Sequence, residues 1–314
     1  MEESPYVSIV VPAFNDKDGL ERLLPSLLEQ VYPLYRYEII IIDDGSTDNI
    51  MQFIMPYQCM RLPQVRYIFQ KHKGPAAARN LGIKNSNGAI IAFTDSDCVA
   101  ANTWLQELIN GYARDYNNAI GAVGGYLRIM PNNHLLGKYC SYIYSTEVES
   151  QINNKNNPKY LITANISFRK HILDLIGGFD ERFTFPGGED QDICYRLKAK
   201  GYILKSNLKA IIYHQPKKTV CRLLKTQYNY GKGEAFIVMD RGRSMLGIPS
   251  SIRAFLSIAK IPKEIFGYCK KGFHLHESFV FSILDYFRKI TFFAGLSIGL
   301  FAGKNRGFIL RERI

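Results

Sequence analysis

Four short apolar runs in the first hundred residues alternate with stretches of helical spacing, and this alternation limits the fold most. The runs are Val7–Val11, Tyr37–Ile42, Val65–Phe69 and Ala89–Phe93, and the helical stretches are Gly19–Gln30, Asp48–Gln58, Pro75–Asn85 and Trp104–Tyr116. Runs that are apolar nearly throughout belong in a sheet buried on both faces. Strand–helix alternation favours a parallel, doubly wound sheet. We therefore predict an α/β fold that binds ligands beyond the carboxyl ends of its strands.

The net charge of +12 is confined to the C-terminal third of the chain. Residues 217–314 hold 18 basic and 6 acidic residues, whereas the first 216 residues hold 22 of each. A basic third attached to a neutral body indicates an anionic partner for that third, although a merely solvated basic face is the alternative. No recognisable nucleic-acid module is present, so we expect no nucleic acid among the partners.

Two features of the sequence bear on the compartment. The six cysteines lie far apart without a C-x-x-C pair, which indicates reduced thiols and neither a disulfide framework nor a zinc site. The N-terminal residues lack the basic start and apolar stretch of a signal peptide. We therefore expect a cytoplasmic protein.

The strongest local signal is Asp95-Ser96-Asp97, which directly follows the fourth apolar run. Two carboxylates one residue apart at a strand end are costly unless a positive charge lies between them. A divalent cation that holds a diphosphate would supply that charge.

A second acidic segment, Asp43-Asp44-Gly45-Ser46-Thr47-Asp48, follows the second run. Ser46, Thr47 and Asp48 are good capping residues, which predicts a turn and the start of a helix. Asp44 is then left to accept a hydrogen bond from a nucleobase or a ribose.

The third segment is Gly187-Gly188-Glu189-Asp190-Gln191-Asp192. Asp192 stands four residues before Arg196, which predicts a helical salt bridge. Asp190 follows the glycine pair at the helix start, where its carboxylate could take a proton from a hydroxyl. His214 closes a later strand-like run, and it is either a buried structural histidine or, if it meets Asp97, a metal ligand.

Taken together, these segments resemble the family 2 glycosyltransferases, which have the GT-A fold. The resemblance runs from about residue 8 to 233, and its motifs are residues 7–15, 41–48, 74–82, 93–97, 164–169, 177–183, 188–196 and 213–214. It implies a metal-dependent, inverting transfer of a sugar from a nucleotide-sugar donor, with UDP-sugars favoured, to a glycan or lipid-linked acceptor. Such transfers build surface polysaccharides, glycolipids or other glycoconjugates.

The resemblance also implies a role for each matched residue. Asp190 would be the general base, and Asp97 and His214 would hold Mn²⁺ or Mg²⁺ on the diphosphate. The acceptor would contact Asn165 and Glu189. The residues that would bind the donor are Pro12, Phe14, Asp44, Arg79, Asn80 and Asp95. Ala164 stands where the family more often has glycine, which leaves the shape of the acceptor pocket in doubt.

Two other functions could use a similar set of residues. A nucleotidyltransferase also combines such a sheet with metal-binding aspartates, but it usually has a glycine-rich, basic loop after the first strand, and residues 12–19 lack that glycine pattern. An inactive binding or scaffold homologue is opposed by the presence of both Asp97 and Asp190.

The predicted fold is therefore a GT-A type, doubly wound mixed sheet with a helical, basic and apolar C-terminal extension. We assign residues 1–243 to the catalytic domain, with a donor half over 1–97 and an acceptor half over 98–243, and residues 244–314 to the extension.

The extension contains two apolar segments, Phe279–Ile283 and Ile290–Ala302, but charged residues between them prevent a transmembrane span. The extension is predicted either to lie in the interface of an anionic membrane or to pack on the catalytic domain or in a homodimer interface. Its flanking basic residues are Lys260, Lys263, Lys270, Lys271, Lys304, Arg306, Arg311 and Arg313.

Overall fold

The computed structural model describes residues 4–113, 115–130, 134–152, 158–241 and 261–305. It divides into two compact units. One contains residues 1–130, 141–185 and 189–215, and the other contains residues 131–140, 186–188 and 216–314. The boundary that we predict at residue 243 lies outside the described residues and stays a prediction.

The first unit is built on one open, curled sheet of eight strands, in the order β3-β2-β1-β4-β7-β6-β8-β5. Its strands are β1 Val7–Ala13, β2 Tyr37–Asp43, β3 Gln64–Phe69, β4 Ile90–Phe93, β5 Cys98–Ala100, β6 Ile120–Ile129, β7 Ile166–Arg169 and β8 Ile203–His214. Strands β3, β2, β1 and β4 are parallel, and β7 pairs antiparallel with both β4 and β6. The sheet is therefore mixed, as predicted.

Six helices accompany the sheet along the described chain. They are α1 Lys17–Leu28, α2 Ile50–Gln58, α3 Pro75–Asn85, α4 Trp104–Asn110, α6 Lys170–Ile176 and α7 Glu189–Ala199. Helix α3 begins with Pro75 at its first position, where a missing N–H costs nothing. Gly74 before it has a φ of +97°, and a Cβ there would strike the carbonyl of Thr184. Only glycine fits this entry to α3.

Two predicted elements differ from the structure. Strand β3 was expected to be buried, but most of its residues are partly or fully exposed because it forms one edge of the sheet. Helix α4 ends at Asn110 instead of continuing to Tyr116. In the buried core, apolar side chains of β1 and β2 cluster with those of α1 and α4, and Trp104 of α4 is fully buried.

The second unit consists mainly of helices. Helix α5, Leu135–Ile152, contributes its first six residues, and helices α8 Val220–Arg241, α9 Ile261–Lys270 and α10 Leu275–Asn305 form the rest. Helices α8 and α10 approach so closely that a Cβ on Gly231 would strike the Phe292 carbonyl, and one on Gly295 the Tyr228 carbonyl.

A partly buried acidic residue connects three helices of this unit. Asp285 on α10 accepts hydrogen bonds from the hydroxyls of Tyr139 on α5 and Tyr268 on α9, both at 2.7 Å. The described residues contain no helix that is both long enough and apolar enough to cross a membrane.

Candidate functional site

The two predicted metal ligands meet at the end of the sheet. Asp97 follows β4, and His214 is the last residue of β8, where it pairs with Cys98 of β5. The Nε2 atom of His214 lies 3.2 Å from Oδ1 of Asp97, although 116 residues separate them in the chain. Ligand atoms of Asp97, Cys98 and His214 all lie within 4.8 Å of one another. Strand pairing therefore brings these side chains together.

The chemistry of this cluster fits a divalent cation. The carboxylate of Asp97 is the ligand type that Mn²⁺ and Mg²⁺ favour, and imidazole is a common ligand of transition metals. The Cys98 thiol is less suited, because burial, and then the charges of Asp97 and Asp95, raise its pKa well above the usual value. Asp97 and His214 are thus the better pair.

Asp16, in the loop after the neighbouring strand β1, supports this loop. The Ser96 hydroxyl donates to Oδ2 of Asp16 at 2.7 Å, which links the loop after β1 to the loop after β4. Partial burial is the main reason that the pKa of Asp16 is raised, and the charge of Asp97 raises it further. The sequence analysis did not identify Asp16.

Asp190 is the second residue of α7 and is partly buried. Burial, and next the charge of Glu189, raise the pKa of Asp190 to about 7. A carboxylate with such a pKa can accept a proton near neutral pH.

The salt bridge predicted on the same helix is confirmed, since Nε of Arg196 donates to Oδ2 of Asp192 at 2.7 Å.

Arg79 on α3 links two acidic residues of the predicted site. Its guanidinium is buried and donates to Oδ1 of Asp95 at 3.0 Å and to Oε1 of Glu189 at 2.9 Å. The sequence analysis expected Arg79 to contact the donor and Glu189 the acceptor. In the structure their side chains, 4 and 5% exposed, are paired with each other inside the fold. The pairing supports the Asp95 loop and the start of α7. The donor contact expected for Arg79 and the acceptor contact expected for Glu189 stay predictions.

This pairing predicts a large stability effect. We expect Arg79→Met to lower the free energy of unfolding by roughly 3–5 kcal/mol, because it leaves the buried Glu189 carboxylate without its cation. The double variant Arg79→Met/Glu189→Gln should regain much of that loss, because no uncompensated charge remains at that position. Urea unfolding of both variants measures the effect. A loss below about 1 kcal/mol in the single variant would contradict the structural role.

Two predicted contact residues, Asn80 and Asn165, are used by the fold. Asn80 accepts a hydrogen bond from the Phe179 backbone N–H and donates to its carbonyl and to Glu181. Asn165 is 2% exposed, accepts from Nε1 of Trp104 at 2.8 Å and donates to two backbone carbonyls. Both amides therefore hold neighbouring segments of the fold together, and the donor contact expected for Asn80 and the acceptor contact expected for Asn165 stay predictions.

The residues predicted to bind the nucleobase lie at the ends of β1 and β2. Phe14 is 46% exposed, and its ring stacks on His72 with centroids 4.1 Å apart. The His72 ring nitrogen lies 2.8 Å from Oδ2 of Asp44, so the aromatic pair and the carboxylate form one group. Pro12, one residue before the end of β1, is partly exposed.

The carboxylate of Asp44 is held mainly by the segment after β3. It accepts hydrogen bonds from the Gln70 amide and from the backbone N–H groups of Lys73 and Gly74, at 2.6 to 2.9 Å. His72 and Gln70 were not identified from the sequence. Their closeness to Asp44 depends on the parallel pairing of β2 with β3.

The capping role predicted for the second acidic segment is wrong. Helix α2 begins at Ile50, after Asn49, and has no side-chain cap. Instead Oδ2 of Asp48 accepts from the backbone N–H of Lys17 at the start of α1, and the Ser46 hydroxyl accepts from the N–H of Asn15. These residues therefore stabilise the loop after β1.

Comparison with known proteins assigns the chain to a family. The model of "Glycosyl transferase family 2" matches residues 8–177, more than half of the sequence. The chain belongs to glycosyltransferase family 2. A second model, "N-terminal domain of galactosyltransferase", matches residues 146–218. The family assignment confirms the resemblance and leaves no support for a nucleotidyltransferase.

Named relatives agree with this assignment. The glycosyltransferase AglE of Haloferax volcanii is 28% identical over 243 residues, which cover 76% of each chain. The chondroitin synthase of Escherichia coli is 29% identical over 239 residues, and the match covers 67% of this chain but only 34% of the synthase.

Solved structures of similar fold support the GT-A prediction. The mannosyltransferase PcManGT from Pyrobaculum calidifontis, in complex with GDP-Man and Mn²⁺, has a TM-score of 0.60 at 17% identity. The alignment covers 98% of this chain and 77% of that one. TarS 1-349 of S. aureus, in complex with UDP-GlcNAc, has a TM-score of 0.55 at 14% identity, with 96 and 92% covered. This family 2 glycosyltransferase thus has the predicted α/β fold.

Proposed function

We propose that this glycosyltransferase is metal-dependent and transfers a sugar, with inversion, from a nucleotide-sugar donor to an acceptor hydroxyl. The observation that supports it most directly is the meeting of Asp97 with His214 at the ends of β4 and β8. Inversion is typical of family 2. The position of the cluster also agrees with the rule that open α/β sheets bind ligands beyond the carboxyl ends of their strands.

Asp97 and His214 would hold Mn²⁺ or Mg²⁺ in this proposal. The bound cation supplies charge neutralisation for the departing nucleoside diphosphate. The chain's own part is to keep the two ligands in place. It does so through the β5–β8 pairing at His214 and through the Ser96–Asp16 hydrogen bond beside Asp97.

Asp190 is proposed as the general base. Inversion in one displacement needs a base that takes the acceptor proton while the hydroxyl attacks the face opposite to the leaving group. The raised pKa of Asp190 gives it more basicity than an ordinary carboxylate. The buried ion pair of Arg79 with Glu189 holds in place the residue that directly precedes Asp190 in the chain.

The donor is proposed to be a UDP-sugar, bound with its base near Phe14 and Asp44 and its ribose or sugar near Asp95. The exposed Phe14 ring offers a stacking surface. A base N–H that reaches Asp44 would have to replace the Gln70 amide or the His72 ring nitrogen. Proteins of similar fold were solved with GDP-Man and with UDP-GlcNAc, which supports a nucleotide sugar as the donor class.

The acceptor is proposed to be a growing glycan or a lipid-linked saccharide, in the synthesis of surface polysaccharide, glycolipid or glycoconjugate. A peripheral position on the inner face of the cytoplasmic membrane would bring the enzyme to such acceptors. The basic C-terminal third supports this location.

A thermal screen tests the proposal and identifies the donor. Nucleotide sugars are added with Mn²⁺, with Mg²⁺ or with a chelator, and the Tm of the protein is measured, because ligands that bind only the folded state raise it. The donor that raises Tm only with metal is then assayed for release of its nucleoside diphosphate. Metal-independent stabilisation, or a metal-dependent ligand that is never cleaved, would argue against the proposed reaction.

The pKa of Asp190 predicts how the rate depends on pH. The base acts in its deprotonated form, so the rate should be low below pH 6, rise through the pKa of about 7 and level off above it. Initial rates across this range, at saturating donor and metal, measure the profile. A rate that stays constant down to about pH 5 would exclude a base with this pKa.

A further inference from the structure

The exposed apolar residues of helix α10 lie on one face. Beyond Leu275 at the first position of the helix, the large apolar side chains that are exposed are Phe279, Phe287, Ile290, Ile298 and Phe301, between 40 and 69% exposed. Their spacings of eight, three, eight and three residues are close to whole turns of a helix with 3.6 residues per turn, so all five lie within about a third of the helix circumference. They form an apolar strip about 33 Å long.

The charged residues of α10 avoid this strip. Glu277, Asp285 and Arg288 fall on the opposite side of the helix, where Asp285 binds two tyrosine hydroxyls and Arg288. No Asp, Glu, Lys or Arg among the described side chains of α10 shares the face of the strip. Because the other side packs on α8, the helix resembles an amphipathic helix that lies in a membrane surface.

Helix α9 adds a basic and aromatic face. Lys263, Phe266 and Lys270 are exposed at spacings of three and four residues, and the Lys270 amine lies 4.7 Å from the Phe266 ring centroid. Such side chains can keep an ammonium group among lipid headgroups while the aromatic ring enters the interface.

The acidic residues of the two helices are already neutralised. Glu264 pairs with Lys289, Glu277 with Lys138 and Asp285 with Arg288. The exposed charge of α9 and α10 is therefore positive. Lys260, Arg306, Arg311 and Arg313, which the sequence analysis grouped with these lysines, lie outside the described residues, as does the side chain of Lys304.

We propose that the exposed faces of α9 and α10 bind the surface of an anionic phospholipid bilayer. The proposal deepens the peripheral location given under Proposed function by naming the surface responsible, and it is independent of the transfer chemistry. Positive charge beside apolar area is complementary to anionic headgroups above an acyl region. A second copy is the poorer occupant, because a two-fold contact would bring the same lysines towards each other.

Co-sedimentation of the full-length protein with vesicles tests this surface. We expect it to pellet with phosphatidylcholine–phosphatidylglycerol vesicles at low salt, and far less at high salt or with phosphatidylcholine alone. Phe287→Asp/Ile298→Asp should weaken binding at least about tenfold by placing charge in the strip. Its matched control, Tyr116→Asp/Leu175→Asp, alters exposed apolar residues of the first unit and should bind like the unaltered protein.

A charge-reversal pair on α9 tests the electrostatic part and leaves the apolar strip of α10 unaltered. Lys263→Glu/Lys270→Glu should lower the affinity for anionic vesicles at least about tenfold, since each basic residue near the surface contributes about fivefold. Lys200→Glu/Lys209→Glu, at exposed positions of the first unit, is its control.

Three outcomes would overturn the proposal. The first is unchanged vesicle binding in both altered pairs, and the second is equal loss in the controls. The third is a dimer, seen by light scattering, that the Phe287→Asp/Ile298→Asp pair converts to monomer without changing vesicle binding. Donor cleavage is assayed separately without vesicles, so failure of the membrane surface and failure of the proposed reaction are distinguishable.

Discussion

Asp190→Asn should lower turnover by about 10²–10⁴ while donor affinity is largely kept. The amide has the size and polarity of the carboxylate but cannot accept the proton of the acceptor hydroxyl. The loss should be in kcat, because the base acts in the transition state and contributes little to binding the donor. Release of nucleoside diphosphate, measured with the donor found in the thermal screen, gives kcat and KM. The rise of the rate near pH 7 should disappear in the same variant.

Two comparisons make this result specific. Asp174→Asn removes an exposed carboxylate on α6 and should leave kcat unchanged. Asp192→Asn removes the partner of Arg196 on α7 and should lower stability more than catalysis. If Asp190→Asn retains turnover within a few-fold of the unaltered enzyme, Asp190 is not the base.

The first half of the fold was predictable from the sequence because its strands are buried on both faces. Strands β1, β2 and β4 read as continuous apolar runs, and each agrees with the structure to within two residues. The edge strand β3 was also located, but its exposure was not, because an apolar run does not reveal its neighbours in the sheet. The antiparallel pairing of β7 with β4 and β6 had no local signal.

The meeting of Asp97 with His214 was predictable from their positions near strand ends, whereas the hydrogen-bond partners of the other candidate site residues were not. Asp97 lies in the loop between β4 and β5, His214 closes β8, and the sheet brings the two side chains together. Arg79, Asn80 and Asn165 were identified by residue type within motifs, but their hydrogen-bond partners within the fold were not. A buried arginine is stable only beside carboxylates, and a buried asparagine needs partners for its amide. Those partners, Glu189, Phe179 and Trp104, lie 61 to 110 residues away.

Asp97→Ala should abolish metal-dependent donor binding while leaving the fold intact. The carboxylate is about one third exposed and lies in a loop, so its removal opens no cavity in the core. Without it the cation would lose its carboxylate ligand, and His214 alone would hold it poorly. A donor present at about 100 times its Kd stabilises the folded state by about 2.7 kcal/mol. We therefore expect the rise in Tm caused by donor and Mn²⁺ to vanish, with the Tm of the free protein nearly unchanged.

Calorimetric titration with the same donor separates loss of the metal from loss of the fold. His214→Ala should weaken binding in the presence of Mn²⁺ but spare more of it with Mg²⁺, because Mg²⁺ depends on oxygen ligands and makes less use of imidazole. Asp18→Asn, in the first turn of α1, is a matched loss of a carboxylate outside the cluster and should titrate like the unaltered protein. Near-normal donor affinity of Asp97→Ala with Mn²⁺ present would remove Asp97 from the metal site, and with it the main support for metal-dependent transfer.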